Sequence, residues 1–213
     1  LAEKTGMISD GWNGFNVLHN AASRVGGMDV GFLPGEDGRD RDGIIEGCQT
    51  GDVSTVILYG ADEIDCAELG DAVVIYVGSH GDRGAHGADV ILPAAAYTEK
   101  QAIFVNTEGR AQMTERAAFP PGEAREDWKV TIELAQRIGL PWKYDDVSEV
   151  FAEMKLNMES LNNITWERLE TETITYPSLH ETDPGQAIVF GDGFPRPDGR
   201  ARFTPASVIP PDE

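Results

Sequence analysis

Cysteine is scarce in this chain of 213 residues: Cys48 and Cys66 are the only two, and they form no CxxC pair. Two separated thiols cannot assemble an iron-sulfur cluster or a structural zinc site, which excludes cysteine-held centres from this segment. Unpaired thiols in this number fit a reducing, cytoplasm-like compartment. Long apolar runs are also missing: no stretch approaches the ~18 residues that cross a bilayer, so direct membrane insertion is not expected. Basic residues are few, 17 Lys and Arg against 37 Asp and Glu, and a net charge of -20 repels nucleic acid and anionic lipid. That charge serves either as a solvated surface or as a docking face for a basic partner. Walker-type and G-x-G-x-x-G phosphate loops are absent, and no Ser, Cys or Thr sits in a nucleophile elbow. No catalytic residue is assigned.

What is present suits one globular core with an appendage: 40% of residues are hydrophobic and 25% charged. The chain starts on Leu1 without a signal-peptide pattern and reads as an internal piece of a longer protein. Apolar Phe15, Val17, Leu18, Ala21, Ala22 and Val25 predict a helix that stops at Gly26-Gly27. Residues 28–51 are rich in Gly and Asp and predict a loop with at most one short helix.

The runs VSTVILY (53–59), AVVIYV (72–77) and ADVIL (88–92) lack alternation, the pattern of parallel strands buried on both faces. The first two end in glycine loops, Gly60-Ala61-Asp62 and Gly78-Ser79-His80, where an open α/β sheet places its ligand crevice. Turning the chain is the commoner task of any one such glycine. Residues 126–138 predict a helix stopped by Gly139 and Pro141, and 148–158 a second one with Ser148 as N-cap. Thr165 opens a shorter helix over TWERLE. Beyond Thr171, Ala187–Phe190 and Ala201–Phe203 flank the turn signal Asp198-Gly199 and predict a hairpin or extended crossing.

Segment 78–113, GSHGDRGAHGADVILPAAAYTEKQAIFVNTEGRAQM, joins a buried strand, a proline-ended loop, the lysine Lys100 and a Gly109-Arg110 turn. In this wording it resembles the molybdopterin oxidoreductase superfamily. From about residue 10 to 128, DGWNGFNVLHNAASRVGGMDVGFLPG, YGADE and PPGEAREDW are similar to the large iron-sulfur subunit family of respiratory NADH-quinone oxidoreductase (complex I). From about residue 126 to 213, SEVFAEMKLNMESLNNITWERLE and IVFGDGFPRPDGRARFTPA instead resemble alpha subunits of NAD-dependent molybdenum formate dehydrogenases. The resemblance implies an α/β fold: a Rossmann-like, mostly parallel sheet flanked by helices over 1–140, followed over 141–213 by a helical and irregular extension.

For molybdenum members the resemblance implies that Lys100 meets the pyranopterin and Asp127 the guanine end of the cofactor, with Asp62, Gly78 and Ser79 on the strand-end loops completing the site. Asp127 also serves as an acidic residue at a helix N-terminus. The cofactor would then be bis-molybdopterin guanine dinucleotide. The loop GSHGDRGAH departs from the molybdenum enzymes and matches the complex I branch. The molybdenum ligand and the formate-handling histidine and arginine match no position. Arg110 either reaches back over the site or pairs with a carboxylate. His80, Asp82 and His86 lie in a glycine-rich loop without helical spacing, so a solvated loop outweighs a metal site.

The main expectation is a segment of the large iron-sulfur subunit of NADH-quinone oxidoreductase, which passes electrons from NADH toward quinone. Its clusters would lie upstream, this region would be mainly structural, and no cofactor or metal is expected in it. Its partners would be other subunits of a respiratory or NAD-linked redox complex, on the cytoplasmic side and peripheral to the inner membrane through that complex. The alternative is a molybdopterin-binding segment of a formate dehydrogenase.

Overall fold

The computed structural model describes residues 4–9, 12–14, 18–19, 21–186, 193–194 and 196–200. A short antiparallel pair, β1 (Ile8–Ser9) and β2 (Trp12–Asn13), precedes α1 (Arg24–Asp29) and α2 (Arg41–Thr50). β3 (Thr55–Tyr59), β4 (Val73–Gly78) and β5 (Val90–Pro93) then form a parallel sheet in sequential order, with α3 (Arg83–Gly87) between β4 and β5. A second, antiparallel sheet joins β6 (Ala102–Val105), β7 (Arg110–Thr114) and β8 (Ile174–Thr175). The helices α4 (Asp127–Arg137), α5 (Val147–Lys155) and α6 (Trp166–Leu169) lie between β7 and β8 in the chain. The fold is mixed α/β with helices flanking a parallel sheet, as the apolar runs predict.

The strands are not buried on both faces along their length. Val56, Leu58, Val74 and Tyr76 point into one core with Leu69, Cys48 and the isoleucines of α2. On the opposite face α4 covers only the C-terminal end, where Val130 and Leu134 meet Tyr59, Val77 and Leu92. Ile57 on that face stays 49% exposed, and Val73 and Val90 are exposed too. One helix is too narrow to cover a three-stranded sheet.

One helix departs from expectation for steric reasons. α1 begins only at Arg24, after the non-helical Leu18, Ala21 and Ala22, and runs through Gly26-Gly27 instead of stopping there, because it packs against β6: a Cβ on Gly26 would lie 3.3 Å from Val105 Cβ and 2.9 Å from Ser23 Oγ. Ser23 Oγ accepts the Val105 N–H at 3.0 Å, fastening the two elements. Phe15 and Val17 lie outside the described residues. α2, ten residues long, is the one helix allowed for in a segment expected to be mostly loop, capped by Asp40 accepting from Gly43 N–H at 2.9 Å and ended by Gly51 at φ 83°. The N-cap of α5 is Asp146, accepting from Ser148 N–H at 2.8 Å, rather than Ser148 itself.

α4 and α6 match their expected spans, with Gly139 at φ 90° after α4 and Thr165 Oγ1 accepting from Arg168 N–H at the start of α6. β8, α5 and α6 close over β6 and β7, burying Val105, Ala111, Phe151, Ile164, Leu169 and Ile174 in one cluster. The proposed hairpin strands 187–190 and 201–203 lie outside the described residues. The turn between them is present, with Gly199 at φ 64° donating its N–H to the Arg196 carbonyl at 2.9 Å.

Candidate functional site

The C-terminal ends of β3, β4 and β5 gather most of the residues singled out in the sequence. After β5 the chain passes Pro93 and Ala94, and residues 124–126 run beside it: Arg125 N–H donates to Pro93 O and Ala95 N–H to Arg125 O. This short parallel bridge delivers the N-terminus of α4 to the sheet end. A 3-10 turn at Tyr97–Glu99 then sets Lys100, with the Glu99 carboxylate accepting the Ala96 N–H at 2.9 Å. The glutamate-lysine pair thus divides its work, Glu99 holding the turn and Lys100 projecting from it.

Lys100 Nζ donates to the Asp127 carboxylate, and the two side chains are 22% and 32% exposed. From the sheet side, Tyr59 hydroxyl donates to the Asp127 carbonyl at 2.6 Å and lies 2.8 Å from Thr131 Oγ1. Burial, with the Asp127 charge adding to it, raises the Tyr59 phenol above its ordinary pKa despite the Thr131 hydrogen bond. Asp127 is therefore held from two directions. It is the first residue of α4, an acidic group in the first turn, and the N-cap Glu126 makes no side-chain cap bond.

The β4 end is filled from within. Tyr76, 3% exposed, lies over Gly78 and against Gly84 of α3, where an added Cβ would come within 2.8 Å of the ring. Its hydroxyl donates to Asp82 Oδ2 at 2.9 Å, within 3.3 Å of the His80 carbonyl. Burial first, then the hydrogen bond to Asp82 and the charges of Asp82 and Asp62, push the Tyr76 phenol up to about 12. Asp82 Oδ1 is buried without a hydrogen-bond partner. Ser79 Oγ bonds His80 Nδ1 at 2.9 Å, and the Asp62 N–H donates to Glu63 at 3.1 Å. His86 Nδ1 meets the Asp82 carbonyl at 2.7 Å, so His80, Asp82 and His86 are each engaged locally. Among the described residues no three metal-ligating side chains converge.

Lys100 and Asp127 are thus brought together, while Gly78 ends β4 beside the Tyr76 ring and Asp62 and Ser79 sit on the neighbouring loops. Among the cavities formed by the described residues, five hold 310 to 620 Å³, and none of these five is lined by any of these residues. Arg110 pairs with the Glu108 carboxylate, its Nε 3.2 Å from Oε1, which answers its alternative in favour of ion pairing. Sequence reasoning overlooked Glu126. It is buried, and its carboxylate accepts from Trp128 Nε1 and Lys129 Nζ, both at 3.1 Å, with Arg116 at 3.5 Å. The only sequence hint was the crowding of Arg125, Trp128 and Lys129 around it.

The molybdopterin oxidoreductase family model matches residues 1–137, ending at the last residue of α4. The chain belongs to the molybdopterin oxidoreductase family. Within it, the chain is 47% identical over 146 residues to the mitochondrial NADH-ubiquinone oxidoreductase 78 kDa subunit of Neurospora crassa, covering 68% of this chain and 18% of that protein. It is 41% identical over 150 residues to the NADH-ubiquinone oxidoreductase 75 kDa subunit of Reclinomonas americana, covering 70% of this chain and 21% of the relative. The chain therefore spans about a fifth of the length of these relatives. Acetylene hydratase from Pelobacter acetylenicus shares the fold, with a TM-score of 0.52 at 18% identity over 75% of this chain and 23% of that one. Among the described residues of this family member no helix is long and apolar enough to cross a membrane.

Proposed function

We propose that this chain is a structural segment of the large iron-sulfur subunit of a respiratory NADH-quinone oxidoreductase, without a bound molybdopterin dinucleotide of its own. The observation that carries this reading is the Lys100–Asp127 ion pair. The resemblance assigns these two residues to opposite ends of one extended cofactor, yet here each satisfies the other. Handing Lys100 to a phosphate or pterin carbonyl would strip the half-buried Asp127 carboxylate of its cation. The Tyr76 ring packs against Gly78 and Gly84 at the end of β4, and the five candidate residues line none of the five cavities, which supports the same reading. They do not fit the dinucleotide.

The similarity to proteins named as NADH-ubiquinone oxidoreductase subunits supports the same reading. Electrons would then pass through clusters elsewhere in the parent chain, and this segment would serve packing against the other subunits. It would sit peripherally on the cytoplasmic side, with residues 1–140 as the family domain and 141–213 leading onward.

The parent protein, isolated with the subunits that accompany it, provides the test. Elemental analysis and pterin fluorescence are measured beside NADH-dependent quinone reduction. The expected result is quinone reduction with iron present and molybdenum far below one per chain. Stoichiometric molybdenum with pterin, accompanied by formate-dependent NAD reduction, would establish the formate dehydrogenase alternative instead.

A further inference from the structure

Between α4 and α5 lies a cavity of about 340 Å³ walled by Trp128, Trp142, Tyr144, Met154, Val150 and Glu153. Three aromatic residues from a single helix–loop–helix segment is a dense allotment in a chain with 8% aromatics. Each is anchored. Trp128 Nε1 donates to Glu126 at 3.1 Å, the Trp142 carbonyl accepts from Gln136 Nε2 at 2.7 Å, and the Tyr144 hydroxyl donates to Glu153 Oε2 at 2.6 Å. The close ring pair of the core is elsewhere, Phe151 edge-on to Trp166 at 5.9 Å. Trp142 is 43% exposed, and its indole N–H has no hydrogen-bond partner among the described residues.

We infer that this cavity is a docking site for an arginine side chain presented by a basic partner protein. The chain already places a cation on one of these rings: Lys129 Nζ lies 5.1 Å from the Trp128 ring centre. A planar guanidinium stacks on aromatic faces and forks onto a carboxylate at once, which a compact ammonium cannot do as well. Glu153 supplies that carboxylate, with Oε1 making no hydrogen bond to the described residues while Oε2 holds Tyr144. The local charge agrees, since residues 142–157 carry Asp145, Asp146, Glu149 and Glu153 against Lys143 and Lys155. A chain of net charge -20 draws basic partners in; the aromatic walls and Glu153 choose where an arginine lands. The site goes beyond the scaffold reading and stands on the cavity alone.

The test uses the full chain with indole N–H resonances followed by NMR at physiological salt, and acetyl-Gly-Arg-Gly-amide as probe beside its lysine and citrulline counterparts. Saturable shifts of Trp128 and Trp142 with the arginine peptide are expected, with Trp166 unmoved, weaker binding of the lysine peptide and none of citrulline. Trp142→Ala and Glu153→Gln should each weaken binding by roughly tenfold, and Trp142→Phe should restore most of it. Equal binding by Trp142→Ala, or shifts scattered over the acidic surface, would mean general attraction to a polyanion and would overturn the proposal. Should Trp142→Ala fail to fold, Glu153→Gln decides by the same criterion, since that side chain lies at the surface.

Discussion

The Asp127 carboxylate is gripped by Lys100 while its own carbonyl accepts the Tyr59 hydroxyl at 2.6 Å, so one residue joins the strand-end turn, the sheet and the first turn of α4. The ion pair is partly exposed, and its coupling in a Lys100→Ala/Asp127→Ala double-mutant cycle is expected to be about 1 kcal/mol at low salt. It should shrink as salt is added. Urea unfolding of the four proteins at two ionic strengths measures both. A coupling near zero at low salt would remove the pair as a structural fastener, and with it the main support for the scaffold reading.

Tyr76 packs in the core between β4 and α3, and its hydroxyl reaches the loop after β4. Tyr76→Phe keeps the ring but leaves Asp82 Oδ2 without its hydroxyl donor beside an Oδ1 that already lacks one. A loss of about 1–3 kcal/mol is expected from urea unfolding near neutral pH. The pH dependence has a definite sign. The folded phenol titrates at about 12 against an ordinary value of 10.0, so its contribution is complete below pH 10 and declines as pH rises toward 12. Tyr76→Phe should flatten that alkaline decline.

Gly84 is the counterpart of Tyr76 on α3. Adding a Cβ there meets the ring at 2.8 Å and the Asp62 Cβ at 3.2 Å, neither of which is a flexible chain end. Gly84→Ala is expected to cost about 1–3 kcal/mol through overpacking, despite the higher helix propensity of alanine. Thermal unfolding beside Gly27→Ala makes the contrast, because a Cβ at Gly27 meets nothing within 4 Å. Equal effects at the two glycines would disprove the packing argument.

These residues also mark what sequence can and cannot reveal. β3, β4, β5 and α4 were legible because apolar run length and helical periodicity depend on neighbours in the chain. The extent of α2 was hidden by Gly43 and Gly47, whose small size is set by the Arg39 side chain and by Val53, 2.7 Å from where a Cβ on Gly47 would sit. The same applies to Gly26 against β6. The pairing of Arg110 and Ala111 with Thr175 and Ile174 left no periodic trace, since β8 is two residues long and distant in sequence. At the site, Lys100 and Asp127 were found by family wording, but their meeting was not. That contact arises from the Pro93–Arg125 bridge, a backbone interaction that no side-chain pattern announces.

Asp183 organises the loop after β8. Its carboxylate accepts the N–H groups of Leu179 at 2.8 Å and Gly185 at 2.9 Å, and these bonds hold it below its ordinary carboxylate pKa. A depressed acid stabilises the fold above the unfolded pKa, near 4, and loses that contribution as pH falls through the folded value. Melting temperature followed from pH 7 down to about 2.5 should therefore fall less steeply in Asp183→Asn than in the parent chain. Parallel profiles would remove Asp183 from the acid response.

Arg168 ties this loop to α6. Its side chain is 14% exposed and donates to the carbonyls of Asn163 at 2.7 Å and Asp183 at 2.9 Å, with Nε on Glu172 at 2.6 Å. Three acceptors in different directions need the planar fork of a guanidinium, and an ammonium on a flexible stem reaches fewer of them. Arg168→Lys is expected to lose about 1–2 kcal/mol and Arg168→Met about 2–4 kcal/mol, because methionine leaves the Asn163 carbonyl and Glu172 without this donor and the Asp183 carbonyl with Ser178 Oγ alone. Urea unfolding gives both values. Hydrogen exchange adds a local readout: the amides of Leu179, Asp183 and Gly185 should lose protection before those of β3 and β4, which Arg168 does not touch. Uniform loss across both sheets would instead mean that Arg168 supports the whole core rather than this loop.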